Sequence, residues 1–209
     1  EVATLTATGP SGTYSWSGTG LTTTSGQTVT ASNLTAGTYS YTVTMTDSNG
    51  CSGTAETTVT VNGTPLVSID PVSAICEYEV ATLTATGSTG TYAWSGTGLT
   101  TTSGQTVSAS GLTAGTYSYT VTITDTNGCS NTATTSINVN ATPLVSIDPP
   151  VSVCESGTAT LTATGPAGTY AWSGTGLTTT SGQTVTASGL TSGSYTYTVT
   201  VTDSNGCSN

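Results

Sequence analysis

The chain has 209 residues, no Lys, Arg, His or Phe, ten carboxylates and a formal net charge of −10. Without a single cationic side chain it cannot neutralise phosphates or hold an anionic lipid surface, which excludes nucleic acid as a partner and argues against membrane docking. It also lacks an imidazole base, a Schiff-base lysine and an arginine clamp, so no enzymatic activity is expected.

Internal repetition comes before any single element. Trp16, Trp94 and Trp172 are spaced by 78 residues, as are Cys51, Cys129 and Cys207, and residues 1–53 differ from 79–131 at only eight positions. Exchanges such as Met45, Ile123 and Val201 keep an apolar residue in place. A period of 78 is too long for a coil of a β-helix and suits a small domain. Three windows follow: 1–62, without its first strand; 63–140, complete; and 141–209, without its last. The expectation is a segment of a longer array. No apolar run approaches the ~18–20 residues of a membrane-spanning helix.

In chain order, the complete copy opens with PLVSID (65–70) as its first strand. ATLTAT (81–86) follows with Ala81, Leu83 and Ala85 on one face and threonines on the other. Next come TYAWSG (91–96) and a short LTTT (99–102). QTVSAS (105–110) precedes the longest run, TYSYTVTIT (116–124), in which Tyr117, Tyr119, Val121 and Ile123 share a face. TATTSINV (132–139) closes the copy. Seven short strands with glycine-rich turns predict an all-β fold: immunoglobulin-like seven-stranded β-sandwich modules strung end to end. Trp16, Trp94 and Trp172 are expected in the cores together with Tyr39, Tyr117 and Tyr195, which stand near the corner after the fifth strand. The rival for Trp94 and Tyr92 is an exposed platform that stacks sugars.

The segments CESGTATLTATG (154–165) and GTYAWSGTGLTTTSGQTVTASGLTSGSYTYTVTVTDSNGC (168–207) carry a resemblance along the whole chain. They resemble the immunoglobulin-like, PKD-like repeats of giant cell-surface adhesins of gliding bacteria that use type IX secretion. A PKD domain carries Trp-Asp-Phe-Gly-Asp-Gly where this chain has Trp94-Ser95-Gly96-Thr97-Gly98, which favours the broader immunoglobulin-like group. The resemblance implies an extracellular surface fibre serving adhesion or motility. It also implies that Tyr119 stands where an immunoglobulin cysteine would be, so the usual bridge between sheets is absent.

The Asp-x-Asn-Gly-Cys ending reads as a hairpin turn, since Asn and Gly tolerate positive φ and Asp suits the first turn position. No glutamate follows at the spacing of a calcium loop. The five cysteines read as disulfides of an oxidising compartment, because no base or cation is present to activate a thiol. If the strands alternate up and down, Cys76 and Cys129 lie at opposite ends of one sandwich, roughly 26 Å apart, too far to bridge. Cys76 then meets Cys207 of the next module, and Cys51, Cys129 and Cys154 have partners in neighbouring modules. With one strand miscounted the parity reverses, and Cys76–Cys129 and Cys154–Cys207 become the pairs.

Most acids map to module ends. Asp70, Glu77, Glu79 and Asp203 fall at one junction, where Ca²⁺ could relieve their repulsion; otherwise they are solvated loop acids, and no other cofactor is expected. Asn33, Asn62 and Asn140 head glycosylation sequons. The functional expectation is the structural repeat region of an extracellular filament or adhesin stalk. Its partners are neighbouring copies of the module and other strands of the filament. The alternative is a glycan-binding array using exposed Trp and Tyr.

Overall fold

A computed structural model describes residues 1–149 and 151–209. Its strands are β1 (Val2–Thr6), β2 (Thr13–Ser17), β3 (Thr28–Ser32), β4 (Gly37–Thr46), β5 (Ser52–Val61), β6 (Val67–Ile69), β7 (Ile75–Cys76), β8 (Ala81–Gly87), β9 (Thr91–Ser95), β10 (Thr106–Ala109), β11 (Gly115–Thr124), β12 (Ser130–Asn140), β13 (Ser146–Ile147), β14 (Ala159–Thr164), β15 (Thr169–Ser173), β16 (Thr184–Ala187) and β17 (Thr198–Thr202). There is no helix among the described residues.

The two-residue alternation in the sequence becomes the two faces of each strand. β8 buries Ala81, Leu83 and Ala85 and turns Thr82 outward, and β11 buries Tyr119, Val121 and Ile123. Threonine suits the outer face because its branched Cβ fits an extended backbone while its hydroxyl meets water. In the complete copy one sheet has the order β10-β8-β6 and the other β7-β12-β11-β9. The first copy pairs β1 with β3 and orders β2-β4-β5, and the third orders β13-β14-β16 and pairs β15 with β17.

The complete copy has seven strands, but not the seven expected. LTTT (99–102) is no strand. It crosses between the sheets, making one isolated bridge from Leu99 to Ala109, and Ser103 just beyond it bridges Ala93. The seventh strand comes from splitting the first. Pro71, which has no N–H and a fixed φ, lies just beyond β6. The chain resumes as β7 on the opposite sheet, parallel to β12, with Ile75 against Val139 and Cys76 against Asn140.

The described residues pack as two compact units. The first comprises Glu1–Leu66, Ser88–Gly90 and Ile123–Asn131; the second comprises Val67–Gly87, Thr91–Thr122 and Thr132–Asn209. Leu5, Trp16, Val29, Tyr41 and Val43 are central to the first unit. The second holds two cores, one around Leu83, Trp94, Val107, Tyr119 and Ile137, the other around Tyr170, Trp172, Val185 and Val201.

Tyr39, Tyr117 and Tyr195 are not core residues, which corrects that expectation. They lie where the sheets end and are half-buried. Each hydroxyl instead donates to a backbone carbonyl four residues upstream: Tyr39 to Thr35 (2.9 Å), Tyr117 to Thr113 (3.0 Å) and Tyr195 to Thr191 (3.1 Å). That is the geometry of a tyrosine corner. The fully buried tyrosines are Tyr41 and Tyr119, whose hydroxyls donate to Thr19 and Thr97 carbonyls at 2.8 and 2.9 Å.

Candidate functional site at the module junction

The Asp-x-Asn-Gly-Cys segments are turns, closed from within. The Gly206 amide donates to the Asp203 carbonyl (3.2 Å) and the Asp203 amide to the Cys207 carbonyl (2.9 Å). The Asp203 carboxylate accepts from the Asn205 and Cys207 amides, both at 2.9 Å. Gly206 takes φ +85°, and Gly50 and Gly128 match it at +83° and +81°. The glycine, and not Asn-Gly together, supplies the left-handed residue, so this is a type I turn followed by a bulge glycine. Its result is a cysteine held at a fixed place at the end of the sandwich.

That cysteine is used. Cys207 is disulfide-bonded to Cys76, 131 residues earlier, with Cα atoms 5.5 Å apart. The bridge joins the central copy to the third, and neither Cys76–Cys129 nor Cys154–Cys207 is formed. β7 explains why. Cys76 is paired with Asn140 at the far end of β12, whereas Cys129 precedes its near end, about 33 Å away along the strand. Cys207 has no exposed surface. Cys51 and Cys154 are free and exposed, and Cys129 is free and half-buried. Burial first, then the carboxylates of Asp125 and Glu1, push the Cys129 thiol up.

Glu77, next to the bridge, spans two elements. It accepts from the Ala114 amide (2.8 Å) at the corner before β11, and from the Thr142 amide (3.1 Å) and hydroxyl (3.3 Å) in the linker to the next copy. The Ala114 amide first, then the Thr142 amide, hold its carboxyl below the usual glutamate range. Glu79 accepts from the Cys76 amide at 2.8 Å. Tyr78 between them has φ +65° and donates its amide to the Leu112 carbonyl (2.9 Å); Ser156, its counterpart, has φ +64° and donates to Leu190 (3.0 Å). Beyond the linker, the Asn209 side chain donates to the Pro143 carbonyl at 3.0 Å.

Asp70, Glu77, Glu79 and Asp203 do not form a cation cage. Among the described residues no three Asp, Glu, Cys or His side chains gather closely enough to hold a metal ion. Glu77, Glu79 and Asp203 each accept backbone amides instead. The sugar-stacking reading of the aromatics is also corrected. Trp94 is 4% exposed and Tyr92 6%, and the Trp94 indole donates to the Gly104 carbonyl at 2.9 Å, as Trp16 and Trp172 do to Gly26 and Gly182. Asn33 and Asn62 are exposed, whereas Asn140 is half-buried beside Cys76.

Sequence reasoning missed Glu77 as a linker clamp. Its signal is faint: an acid directly after the bridging cysteine, repeated as Glu155. A groove in the third copy is bordered by Ile147, Val153, Leu190 and Tyr197.

Two-layered β-sandwich copies in tandem, the central and third joined by a disulfide, define this protein as a repeat array of immunoglobulin-like domains. Residues 2–61 match the family described as K319L-like, PKD domain, and residues 65–139 match the PKD-like domain family. Together these cover more than half of the chain, which belongs to the PKD-like tandem-repeat proteins. No curated protein sequence matches it.

Solved structures with a similar course include the N-terminal eight Ig domains of the Down syndrome cell adhesion molecule. That match has 12% identity and a TM-score of 0.40, and covers 97% of this chain and 37% of that one. The insect immune protein hemolin matches at 14% identity and a TM-score of 0.37, over 100% and 69%. Protocadherin gammaB7 repeats EC3–6 match at 12% and 0.35, over 96% and 65%. The chain thus spans less than two thirds of the protocadherin and about a third of the adhesion molecule.

Proposed function

We propose that this chain is the structural repeat region of an extracellular filament or adhesin stalk, in which the modules supply reach and toughness and do no chemistry. The observation that carries this reading is the Cys76–Cys207 bridge, which joins two modules where an ordinary immunoglobulin-like bridge would staple one. A covalent junction between beads serves a fibre better than it serves a soluble receptor. The bridge also suits an oxidising, extracellular compartment, and a chain without Lys or Arg offers trypsin-like proteases no site. The partners are further copies of the same module. The resemblance to gliding-bacterial surface adhesins supports this reading, in which the repeats act as a stalk and adhesion is the task of another part of the protein.

Immunogold electron microscopy with antibody to the repeat, on intact cells of the source, tests the proposal. Labelled fibres projecting from the cell surface are expected. Label confined to the cell interior, or to dispersed monomers in the medium, overturns it.

A further inference from the structure

The cysteines divide each 78-residue period into two unequal parts. Between Cys76 and Cys129 lie β8 to β11, and between Cys154 and Cys207 lie β14 to β17. The remaining stretches, Cys51–Cys76 and Cys129–Cys154, are 25 residues each. The first contains β5, β6 and β7; the second contains β12 and β13. In the complete copy the strand that ends at Cys76 and the strand that starts after Cys129 are hydrogen-bonded neighbours running in the same direction.

Resting on the filament reading, we propose that the Cys76–Cys207 bridge is a force bypass. Tension along the array enters through the Cys51–Cys76 stretch, crosses the bridge to Cys207 and leaves through the counterpart of Cys129–Cys154. The 130 residues between Cys76 and Cys207 carry none of the tension on this line. In an array continued with the same period, stretches of this kind and their bridges form two covalent lines. Each module contributes its β6–β7 segment to one line and its β12 to the other, side by side. The hairpins that build most of the core hang beside these lines.

Geometry makes the lines nearly inextensible. Twenty-five residues reach at most about 85 Å. β12 already spans roughly 33 Å of that as extended strand. The linker and the counterpart of β6–β7, which runs the length of the next sandwich, take up most of the rest. The slack is on the order of 10–15 Å for two modules, against roughly 230 Å released when one 78-residue module unfolds with its bridge open. Two further observations agree. The bridge is shielded, since Cys207 is fully buried and the Glu79 carboxylate accepts the Cys76 amide. One period earlier, Glu1, the counterpart of Glu79, lies close enough to Cys129, the counterpart of Cys207, to act on its thiol.

Single-molecule stretching of the native array, with and without phosphine reduction, tests this. Oxidised molecules are expected to show no unfolding steps before rupture, and reduced ones a series of steps of roughly 230 Å. On the 209-residue chain, Cys76→Ser is expected to add roughly 440 Å of releasable length to the oxidised form. Steps of module size in the oxidised array, or identical traces in both states, overturn the proposal. The stretching result is independent of where the protein resides, so absence of surface fibres sinks the filament reading and leaves the mechanical result standing.

Discussion

The carboxylate of Glu77 accepts the amide of Thr142, 65 residues further along, at 3.1 Å. It thereby ties the turn that follows β7 to the linker leading into the next module. Because the same side chain also accepts the Ala114 amide, protonation removes two charge-assisted acceptor contacts at once.

The sign of the pH effect follows. The Glu77 carboxyl titrates below its usual range when folded, so its contribution is complete above the unfolded glutamate value and is lost as pH falls through the folded one. Melting temperature is expected to drop on acidification below about pH 4, and Glu77→Gln to lower it at pH 7 while flattening the acid limb. Calorimetry across pH 3–7 on both proteins checks this. An acid limb unchanged in Glu77→Gln assigns it to the other carboxylates.

Opening the bridge should destabilise the second and third copies and spare the first. A closed loop of 131 residues restricts the unfolded chain by at most about 5 kcal/mol. Paired Cys76→Ser and Cys207→Ser is the cleaner variant, since a single substitution leaves a buried thiol. Thermal melts followed by hydrogen exchange are expected to show faster opening in residues 77–206 and unchanged protection in 1–50.

Alternation placed Leu83, Tyr119, Val121 and Ile123 correctly, because burial on one face of a strand is a local property of the sequence. The up-and-down strand count also put Cys76 and Cys129 at opposite ends. It reached the right parity through one wrong strand, as LTTT was counted and β7 was not. What a single chain segment cannot show is which sheet it joins after a break: Pro71 ends one pairing, and only the far edge at β12 decides the next. Tyr117 was misjudged for a related reason. Alternation gives the face of a residue and not how far along the strand the second sheet still covers it. The sequence offers Glu77 as a calcium ligand or a solvated loop acid and not as a backbone clamp, since its partners lie 37 and 65 residues away.

Trp94 anchors a core and offers no ligand platform. Trp94→Ala is expected to cost about 3–5 kcal/mol through the cavity it leaves, with a further loss because the Gly104 carbonyl is stranded. Acrylamide should quench the native fluorescence weakly, and soluble glycans should leave the emission unchanged. A saturable, sugar-dependent shift would restore the glycan-binding alternative.

Tyr119 offers an alkaline counterpart to Glu77. Burial, and secondarily the neighbouring Tyr117, push its phenol up, so the folded state keeps the proton that the unfolded state releases. Its contribution is full below the unfolded tyrosine value, about pH 10, and fades as pH rises through the folded one. Tyr119→Phe removes the bond to the Thr97 carbonyl and should cost about 1 kcal/mol at neutral pH. It should also reduce the alkaline loss of stability, read as melting temperature from pH 8 to 11.

The repeats contain their own control for backbone conformation. Asn33 has φ +55°, and its counterparts are Gly111 at +68° and Gly189 at +69°. All three precede a leucine that packs into the corner, and only Gly or Asn adopts this left-handed state readily. A Cβ on Gly111 meets nothing within 4 Å, so any cost of substitution there is conformational. Gly98 has φ +76°, but a Cβ there would approach Leu112 Cδ2 and the Ser110 carbonyl at 2.7 Å. Gly111→Asn is therefore expected to be tolerated within about 0.5 kcal/mol and Gly111→Ala to cost about 1 kcal/mol. Gly98→Ala should cost more than either, because steric displacement of Leu112 adds to the strain. Urea denaturation of the three variants orders them, and equal losses at Gly98 and Gly111 would show that Leu112 yields without penalty.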